Sequence, residues 1–486
     1  MNRSAGRRWS RKMQPVLGFA VLLAAFVLWG WRGRSAAEQP VPRRETLPPH
    51  YELALPLVAQ HFWIGERPSP TFGAQLFEFQ THGQTAEVLE TEVPRLRQVG
   101  LWSLRTVLYW RDIEPNDTTP EHYNWQFYDK FIGDLRAEGI EPLISIVAFP
   151  PFATRYFCGG GFVEGGETAW REFAHALVAR YSAPPYNVRL WEIGNEPDGV
   201  TSLPPGGTQP TRAETGCWGN VPADYASFLR IGYQEIKAIQ PDATVIFGSL
   251  AYDVFEAWFV KDFFSKVLDA GGGQSFDVLG FHWFPRATQW ATAEAKALEL
   301  RQYMRERGLD KPLWLTETYL PSNPPERGSP GEQVDFILRD FAAMRGEGIV
   351  RKVWWYGWWS VPLSVTPVDR GLVWPQHQPK PGVRALELVV DLTDGFPSRH
   401  STAQVTAYRF DRPWQSEQVW ALWARGSSPA SIELPASSNQ PAEVIRLEVG
   451  DTYATTVPVT TTVLPTSSVY QLTVPGTPVF VRIPSP

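Results

Sequence analysis

The chain has 486 residues, enough for one large domain and a smaller one, and its 43% hydrophobic and 20% charged content is typical of a folded protein. The formal net charge is −6, but residues 1–37 carry seven basic residues and no acid, so the rest has 38 bases against 51 acids, or −13. An acidic body without a basic stripe argues against nucleic acid as a partner.

Residues 1–37 are predicted to be a signal peptide or a membrane anchor. A basic head precedes an apolar run at residues 15–31, and small residues that suit a signal peptidase follow at 35–37. The pattern predicts export, followed either by cleavage or by attachment to the membrane through residues 15–31. Residues 38–69 are rich in proline and are predicted to be a tether.

From residue 70 to about residue 398 an apolar strand followed by an amphipathic helix recurs eight times. This repetition predicts a (β/α)8 TIM barrel, whose usual size is about 250 residues plus insertions. A doubly wound open sheet is the competing topology, but it would need a phosphate-binding loop after the first strand, and Gln75–Glu78 is not one. The predicted strands are Phe72–Phe77, Ser103–Leu108, Pro142–Ala148, Val188–Ile193, Thr244–Leu250, Phe276–Phe281, Pro312–Thr316 and Val353–Trp358.

Acidic residues follow two of the predicted strands at the ends where barrel enzymes hold their reactive groups. The fourth strand leads into Asn195 and Glu196, and the seventh ends at Glu317. Taken singly, an Asn-Glu-Pro turn ends many strands and a lone glutamate often forms an ion pair. Two carboxylates at matching strand ends are the machinery of glycoside hydrolysis. The pair therefore predicts an O-glycosyl hydrolase.

Three more residues near these ends are candidates for substrate binding or for support of the carboxylates. Arg105 on the second strand would lower the pKa of Glu317, or would form a buried structural ion pair. His282 at the end of the sixth strand would orient Glu317 or a sugar hydroxyl, or would be an ordinary core histidine. Trp283 is expected at the rim of the barrel.

The eighth strand carries Trp355 and Trp358, and one of them is expected to be the stacking surface for a sugar ring, while the other packs in the core. The eight histidines and two cysteines show no zinc-type spacing, and a Gly-rich phosphate loop is lacking. We therefore predict neither a metal nor another cofactor.

These motifs resemble those of the clan A retaining glycoside hydrolases, most closely family 39, with families 5 and 10 as neighbours. The resemblance covers about residues 72–358. WEIGNEP matches the family's asparagine and acid/base glutamate with Asn195 and Glu196, and WLTET matches its nucleophile with Glu317. WRDIEP, which begins at Trp110, is similar to the second βα loop of such enzymes and implies that Trp110 lies by the substrate. Further matches are Arg105, for the arginine near the nucleophile, and His282, for the sixth-strand histidine.

The sequence departs from the family pattern at one place. The clan often has a tyrosine shortly after the sixth-strand histidine, bonded to the nucleophile, whereas this chain has Trp283 and Phe284. Tyr319 or another hydroxyl is expected to take its place, or the nucleophile is tuned differently.

The resemblance implies a two-step double displacement on an oligosaccharide, a polysaccharide or another glycoside. Glu317 would attack the anomeric carbon while Glu196 protonates the departing oxygen, and Asn195 would bond the 2-hydroxyl. The two carboxyl groups should then lie about 5–5.5 Å apart. A non-catalytic glycan-binding protein on the same barrel and a transglycosylase are the alternatives.

Cys158 and Cys217 fall in the loops after the third and fourth strands, which are neighbours on a barrel rim. In an exported chain they are predicted to form a disulfide. Two unpaired thiols are the alternative.

Residues 399–486 are predicted to be a small β-sandwich domain. The composition becomes rich in valine, threonine and proline, with short alternating strands. A similar sandwich is appended to several clan A families, and here it is expected to support the barrel rather than to bind glycan.

Overall fold

The computed structural model describes residues 71–75, 85–118, 122–200, 218–252, 259–285, 293–323, 328–360, 369–436 and 438–485, with the backbone alone at 85–89. The predicted signal or anchor segment, the tether and Cys217 lie outside these ranges. Within them, no helix combines the length and the apolar character needed to cross a bilayer.

Eight parallel strands in the described ranges close into a barrel. Each strand pairs with its neighbours in chain order, and the last pairs with the first, so the (β/α)8 prediction is confirmed and an open doubly wound sheet is excluded. The strands are β1 (Phe72–Gln75), β2 (Ser103–Tyr109), β3 (Glu141–Val147), β4 (Leu190–Ile193), β5 (Thr244–Leu250), β6 (Val278–Trp283), β7 (Leu313–Thr318) and β8 (Val350–Tyr356).

Helices cover the outside of the barrel and bury the outer faces of its strands. The main helices are α1 (Thr85–Val99), α2 (Gln126–Ala137), α3 (Gly166–Tyr181), α4 (Pro222–Ile239), α5 (Phe263–Asp269), α6 (Glu294–Arg305), α7 (Pro330–Glu347) and α8 (Pro381–Leu392). α7 shows why the sequence forms helices where it does. Ser329 Oγ accepts a hydrogen bond from the backbone N–H of Glu332, Pro330 occupies the first turn, and Gly348 ends the helix at φ +65°.

The barrel interior has a lower, apolar layer and an upper, polar layer, where the upper layer is the one nearer the carboxyl ends of the strands. Its lower layer is a closed cluster of inward side chains from six strands: Leu143, Leu190, Ile246, Val278, Trp314 and Trp354. Buried polar residues lie nearer the carboxyl ends of the strands: Gln75, Arg105, Glu192, Ser249 and Thr316. The apolar layer therefore lies directly beneath the polar layer that holds the candidate site.

Two β-bulges aim side chains into that polar layer. In β5 the step from Phe247 to Leu250 is three residues long, whereas the paired step in β6 is two residues long. In β7 there is one extra residue at Thr316–Glu317 relative to both neighbouring strands. A bulge breaks the strict alternation of inward and outward side chains. Consecutive residues Thr316 and Glu317 thereby both make contacts on the inside of the barrel.

Strand ends differ by a few residues from those predicted. β6 continues to Trp283, so His282 lies within the strand, whereas β8 ends at Tyr356, two residues before Trp358.

The predicted C-terminal sandwich is confirmed, and its first strand begins at Phe396, shortly before the predicted boundary. Its strands are β9 (Phe396–Arg399), β10 (Val405–Arg412), β11 (Glu417–Ala424), β12 (Ala430–Pro435), β13 (Ala442–Glu448), β14 (Val457–Val463), β15 (Val469–Val474) and β16 (Val479–Pro484). The main sheet has the order β9-β10-β11-β16-β13-β14, and β12 pairs with β15 in a second sheet.

One face of the main sheet packs on the last helices of the barrel. The ring of Tyr408 lies against Gly346 of α7, and its hydroxyl donates to Glu347 at 2.7 Å. The hydroxyl of Tyr453 donates to Glu387 of α8 at 2.8 Å. These contacts agree with the expectation that the sandwich supports the barrel.

Candidate active site

Arg105 is the centre of the polar layer. Its guanidinium is fully buried and donates four hydrogen bonds to side chains. Nε donates to Glu192 Oε2 at 2.8 Å, Nη2 lies at the same distance from that oxygen in an ion pair, and Nη2 donates to Asn195 Oδ1 at 2.6 Å. Nη1 donates to Gln75 Oε1 at 2.8 Å and to Glu317 Oε1 at 2.5 Å. One guanidinium thus holds side chains from β1, β4, the turn after β4, and β7.

Glu196 is held by the turn after β4 and by a histidine from β6. Gly194 has φ +82° and Glu196 itself has φ +45°, a left-handed conformation that is rare and costly for a residue with a side chain. His282 Nδ1 lies 2.8 Å from Glu196 Oε1 and 3.6 Å from Glu317 Oε2. The backbone strain and the histidine together fix the direction of the Glu196 carboxyl.

The two glutamates face each other across a short gap. One oxygen of each carboxyl group and a ring nitrogen of His282 all lie within 4.8 Å of one another. Oxygens this close are expected of a retaining pair, whose carboxyl groups lie about 5–5.5 Å apart, rather than of an inverting pair at about 6.5–9.5 Å. Glu196 keeps 12% of its side chain exposed and Glu317 keeps 7%, so a ligand in the mouth of the barrel can reach both.

Burial raises the pKa of both carboxyl groups. The pKa of Glu196 is well above its usual value because of burial, with further contributions from the negative charges of Glu317 and Asp198. Burial also raises the pKa of Glu317, to about 7, although Arg105 opposes the rise. Arg105 therefore acts in the predicted direction, but burial outweighs it. Because Arg105 contacts Glu317 and not Glu196, a proton shared by the pair resides on Glu196.

His282 is a neutral imidazole. Burial lowers its pKa well below the usual value, and the positive charges of Arg105 and Lys296 lower the pKa further. Nε2 has no hydrogen-bond partner among the described residues, while Nδ1 faces two carboxyl groups. The ring proton accordingly belongs on Nδ1, which donates to Glu196 Oε1. The predicted role of His282 shifts from Glu317 to Glu196.

Glu196, His282 and Glu317 have the donor atoms for a divalent cation. The Arg105 guanidinium already occupies one side of Glu317, and its fixed positive charge disfavours a second cation beside it. The chemistry of the site therefore favours proton transfer and nucleophilic attack by the carboxylates themselves.

Three predicted substrate-binding tryptophans are instead core residues, because each is fully buried. Trp355 packs beside Phe336 and Phe341 of α7, so it points away from the barrel mouth. Trp358 follows the end of β8 and donates its indole N–H to Glu92 of α1 at 2.9 Å. Trp110 stacks on Phe173 of α3, with 4.7 Å between ring centroids. A residue without exposed surface offers no face to a sugar.

Other aromatic residues line the mouth. Tyr319 packs between Phe284 and Tyr356, with ring centroids 4.7 and 5.8 Å away, and the guanidinium of Arg370 lies 4.9 Å from the Tyr319 ring. The predicted rim residue Trp283 is half-buried beside the core. Tyr356, which was not among the predicted site residues, occupies the inward position on β8 next to Trp355.

Among the described residues, the hydrogen bond that Glu317 accepts comes from Arg105 and not from a hydroxyl. Tyr319 packs with its ring beside Phe284 and Tyr356. Of the two expectations, these contacts favour a nucleophile that is tuned differently over replacement of the missing tyrosine by Tyr319.

Glu192 is a further site residue that the sequence analysis missed. It is fully buried in β4 and bonded to Arg105. A charged residue within an apolar strand, four positions before Glu196, was a signal that could have revealed it.

Cys158 is disulfide-bonded. Its predicted partner, Cys217, lies outside the described residues.

No family model matches the sequence, and no curated protein is significantly similar to it. Solved structures do match. A family 39 glycoside hydrolase from Bacteroides cellulosilyticus WH2 aligns with a TM-score of 0.62 and 18% identity, over 86% of this chain and 81% of that one. The fold is that of a glycoside hydrolase barrel.

Two further matches come from other glycosidases. An alpha-L-arabinofuranosidase from Thermotoga maritima has a TM-score of 0.58 and 14% identity, over 87% of this chain and 97% of that chain. A family 30, subfamily 8 xylanase from Clostridium acetobutylicum has a TM-score of 0.57 and 14% identity, over 86% and 96%. The predicted resemblance to clan A is confirmed for the fold.

Proposed function

We propose that the protein is an exported retaining glycoside hydrolase with Glu196 as acid/base and Glu317 as nucleophile. The observation that carries the proposal is the facing pair of buried carboxyl groups, one held by Arg105 and the other by a neutral histidine. The N-terminal basic and apolar pattern supports export. The glycosidase folds of the structural neighbours support the reaction class.

In the first step the Glu317 carboxylate attacks the anomeric carbon and the bond to the leaving oxygen breaks. Glu196 gives its proton to that oxygen. Because His282 Nδ1–H donates to Oε1 of Glu196, the acidic proton is carried by Oε2. In the second step the ionised Glu196 takes a proton from water, whose oxygen attacks the anomeric carbon and frees Glu317.

Asn195 is proposed to bond the sugar 2-hydroxyl. Arg105 Nη2 donates to Asn195 Oδ1 and so fixes which atom of the amide is turned toward Arg105. The amide NH2 is a hydrogen-bond donor, and we propose that it bonds the 2-hydroxyl. A bond to the 2-hydroxyl that strengthens in the transition state accelerates the reaction.

The first prediction is that Glu196→Ala and Glu317→Ala each lower aryl-glycoside hydrolysis by about 10²–10⁴-fold or more, and that azide restores turnover with opposite stereochemistry. With Glu196→Ala and a dinitrophenyl glycoside, azide should trap the glycosyl-enzyme and give the glycosyl azide of retained configuration. With Glu317→Ala, azide should attack directly and give the inverted product. Product configuration is read by proton NMR.

The matched control is Glu433→Gln, which changes an exposed carboxylate of the sandwich. It should leave the rate unchanged. Substrates should include aryl xylosides and arabinofuranosides, since the structural neighbours include a xylanase and an arabinofuranosidase. Binding of a glycan without any turnover by the wild-type protein would contradict the proposal and favour a glycan-binding protein. Transfer of the sugar to added sugar acceptors in preference to water would indicate a transglycosylase.

A further inference from the structure

Glu192 has two sets of partners on opposite sides of the barrel interior. Oε2 accepts from Arg105 Nε at 2.8 Å and forms an ion pair with Arg105 Nη2 at the same distance. Oε1 accepts from the backbone N–H of Ser249 at 3.3 Å and from the Ser249 hydroxyl. Both oxygens are therefore occupied by protein donors, and the side chain is fully buried. Glu192 is not available to a substrate.

Two chains of contacts lead from Glu192 to the proposed nucleophile. The first passes through Arg105, whose Nη1 donates to Glu317. The second passes through Ser249, whose hydroxyl is bonded to the hydroxyl of Thr316, the residue before Glu317 in the β7 bulge. The bulges of β5 and β7 thus both serve this network, since the first turns Ser249 inward and the second turns Glu317 inward beside Thr316.

We propose that Glu192 is a positioning residue with two effects on Glu317. It competes with Glu317 for the positive charge of Arg105, and through Ser249 and Thr316 it fixes the β7 bulge that aims the nucleophile. The proposal rests on the proposed function. It assigns Glu192 an effect on reactivity without contact with the sugar.

The electrostatic part follows from competition for one cation. Arg105 is shared between Glu192 and Glu317, so the negative charge of Glu192 weakens the hold of the guanidinium on Glu317 and raises the Glu317 pKa, against the lowering by Arg105 itself and by Arg370. Without that charge, Glu317 would be the only carboxylate paired with Arg105. Its pKa would fall, and it would become a weaker base and a weaker nucleophile. In the described part of the chain, the charged or titratable groups that face Glu317 are Arg105 from β2, Glu192 from β4, Glu196 from the following turn, His282 from β6 and Arg370 from the loop after β8.

The test compares Glu192→Gln, Glu192→Asp and Ser249→Ala by pH profiles of kcat/KM on an aryl glycoside. Glu192→Gln removes the charge, so the acidic limb should move down by about one pH unit and kcat/KM should fall about 10- to 100-fold. Glu192→Asp keeps the charge on a shorter side chain, so its limb should return toward that of the wild type while kcat stays low. Ser249→Ala breaks the link to Thr316 and should lower kcat with the limb unmoved.

The matched control is Glu92→Gln, which neutralises another fully buried glutamate that is paired with an arginine, Arg95, at 2.8 Å. Glu92→Gln should lower the free energy of unfolding without moving the acidic limb of the pH profile. The inference would be overturned if the acidic limb of the pH profile did not move in Glu192→Gln, or if it moved by the same amount in Glu92→Gln. If Glu192→Gln does not fold, an unchanged kcat in Ser249→Ala overturns it instead. Inactivity of the wild-type protein would refute the proposed function, whereas the variants test the inference only against an active wild type.

Discussion

Burial controls the protonation of the three side chains at the barrel mouth. Glu196 and Glu317 are both pushed toward their neutral forms, and His282 is pushed away from its charged form. The only fixed cation in direct contact with the carboxyl pair in the described part of the chain is Arg105, and it touches Glu317. In the proposed mechanism, the position of one guanidinium therefore distinguishes two chemically identical side chains as acid and nucleophile.

We predict a bell-shaped pH profile of kcat/KM with its acidic limb near neutral pH. The active form has Glu317 ionised and Glu196 protonated. Activity should therefore appear as the pH rises through about 7, the raised pKa of Glu317, and decline only at the still higher pH where Glu196 loses its proton. The measurement is kcat/KM for an aryl glycoside between about pH 4 and 10, with folding checked by circular dichroism at each pH. A maximum near pH 4 to 5, the usual range of free carboxyl groups, would contradict this picture.

The sequence predicted that Glu196 and Glu317 come together, but not which side chains surround them. Glu196 and Glu317 were identifiable because each is an acid that follows an apolar run at a barrel strand end. Trp355 was misassigned because its direction depends on the register of β8 against β1 and β7, and a shift of one residue reverses inside and outside. Tyr356, one residue later, takes the inward position.

At the scale of elements, the barrel was predictable because its strands and helices follow local periodicity in the sequence, and each observed strand overlaps the predicted one. The bulges of β5 and β7 were not predictable, since an extra residue leaves no sign in a run of apolar and small side chains. Those bulges decide that Ser249 and Glu317 both point into the barrel. Long-range register therefore governs the site more than propensity does.

The close approach of α7 to the sandwich gives an element-scale prediction. Gly→Ala inside a helix normally stabilises by about 1 kcal/mol. At Gly346, however, a new Cβ would lie 2.3 Å from Cγ and 2.8 Å from Cβ of Tyr408. We expect Gly346→Ala to lower the free energy of unfolding by about 1–3 kcal/mol, because the ring and its strand must move. Urea denaturation followed by tryptophan fluorescence measures it.

Gly331 in the first turn of the same helix is the control. The nearest atom to a Cβ there is Ser329 Oγ at 3.9 Å, so Gly331→Ala has room. It should leave stability unchanged or raise it slightly. Equal effects of the two substitutions would mean that Tyr408 does not press on α7.

At the scale of the whole molecule, barrel and sandwich share a core. One hydrophobic cluster runs from the barrel helices into the main sheet and includes Phe410, Val419, Trp423 and Phe480. A separate cluster fills the space between the two sheets of the sandwich. The sheet is thus apolar on both faces, and the barrel covers one of them.

We predict that the barrel and the sandwich unfold together. Scanning calorimetry should give one transition whose calorimetric and van't Hoff enthalpies agree. A chain ending after Leu392 should aggregate, because the outer faces of α7 and α8 would lose their cover. Two resolved transitions, or a soluble and active truncated barrel, would show that the sandwich is an independent appendage.

The hydrogen bonds of Arg105 have a consequence for how this protein binds different ligands. One guanidinium donates to four side chains from four places in the chain, so we expect this polar layer to be rigid before a ligand enters. Free and occupied crystals should superpose closely in this layer, and soaking should not disturb it. Under the proposed function, discrimination between one saccharide and another then depends on the loops at the barrel mouth, whose sequence can change without altering Glu196 or Glu317.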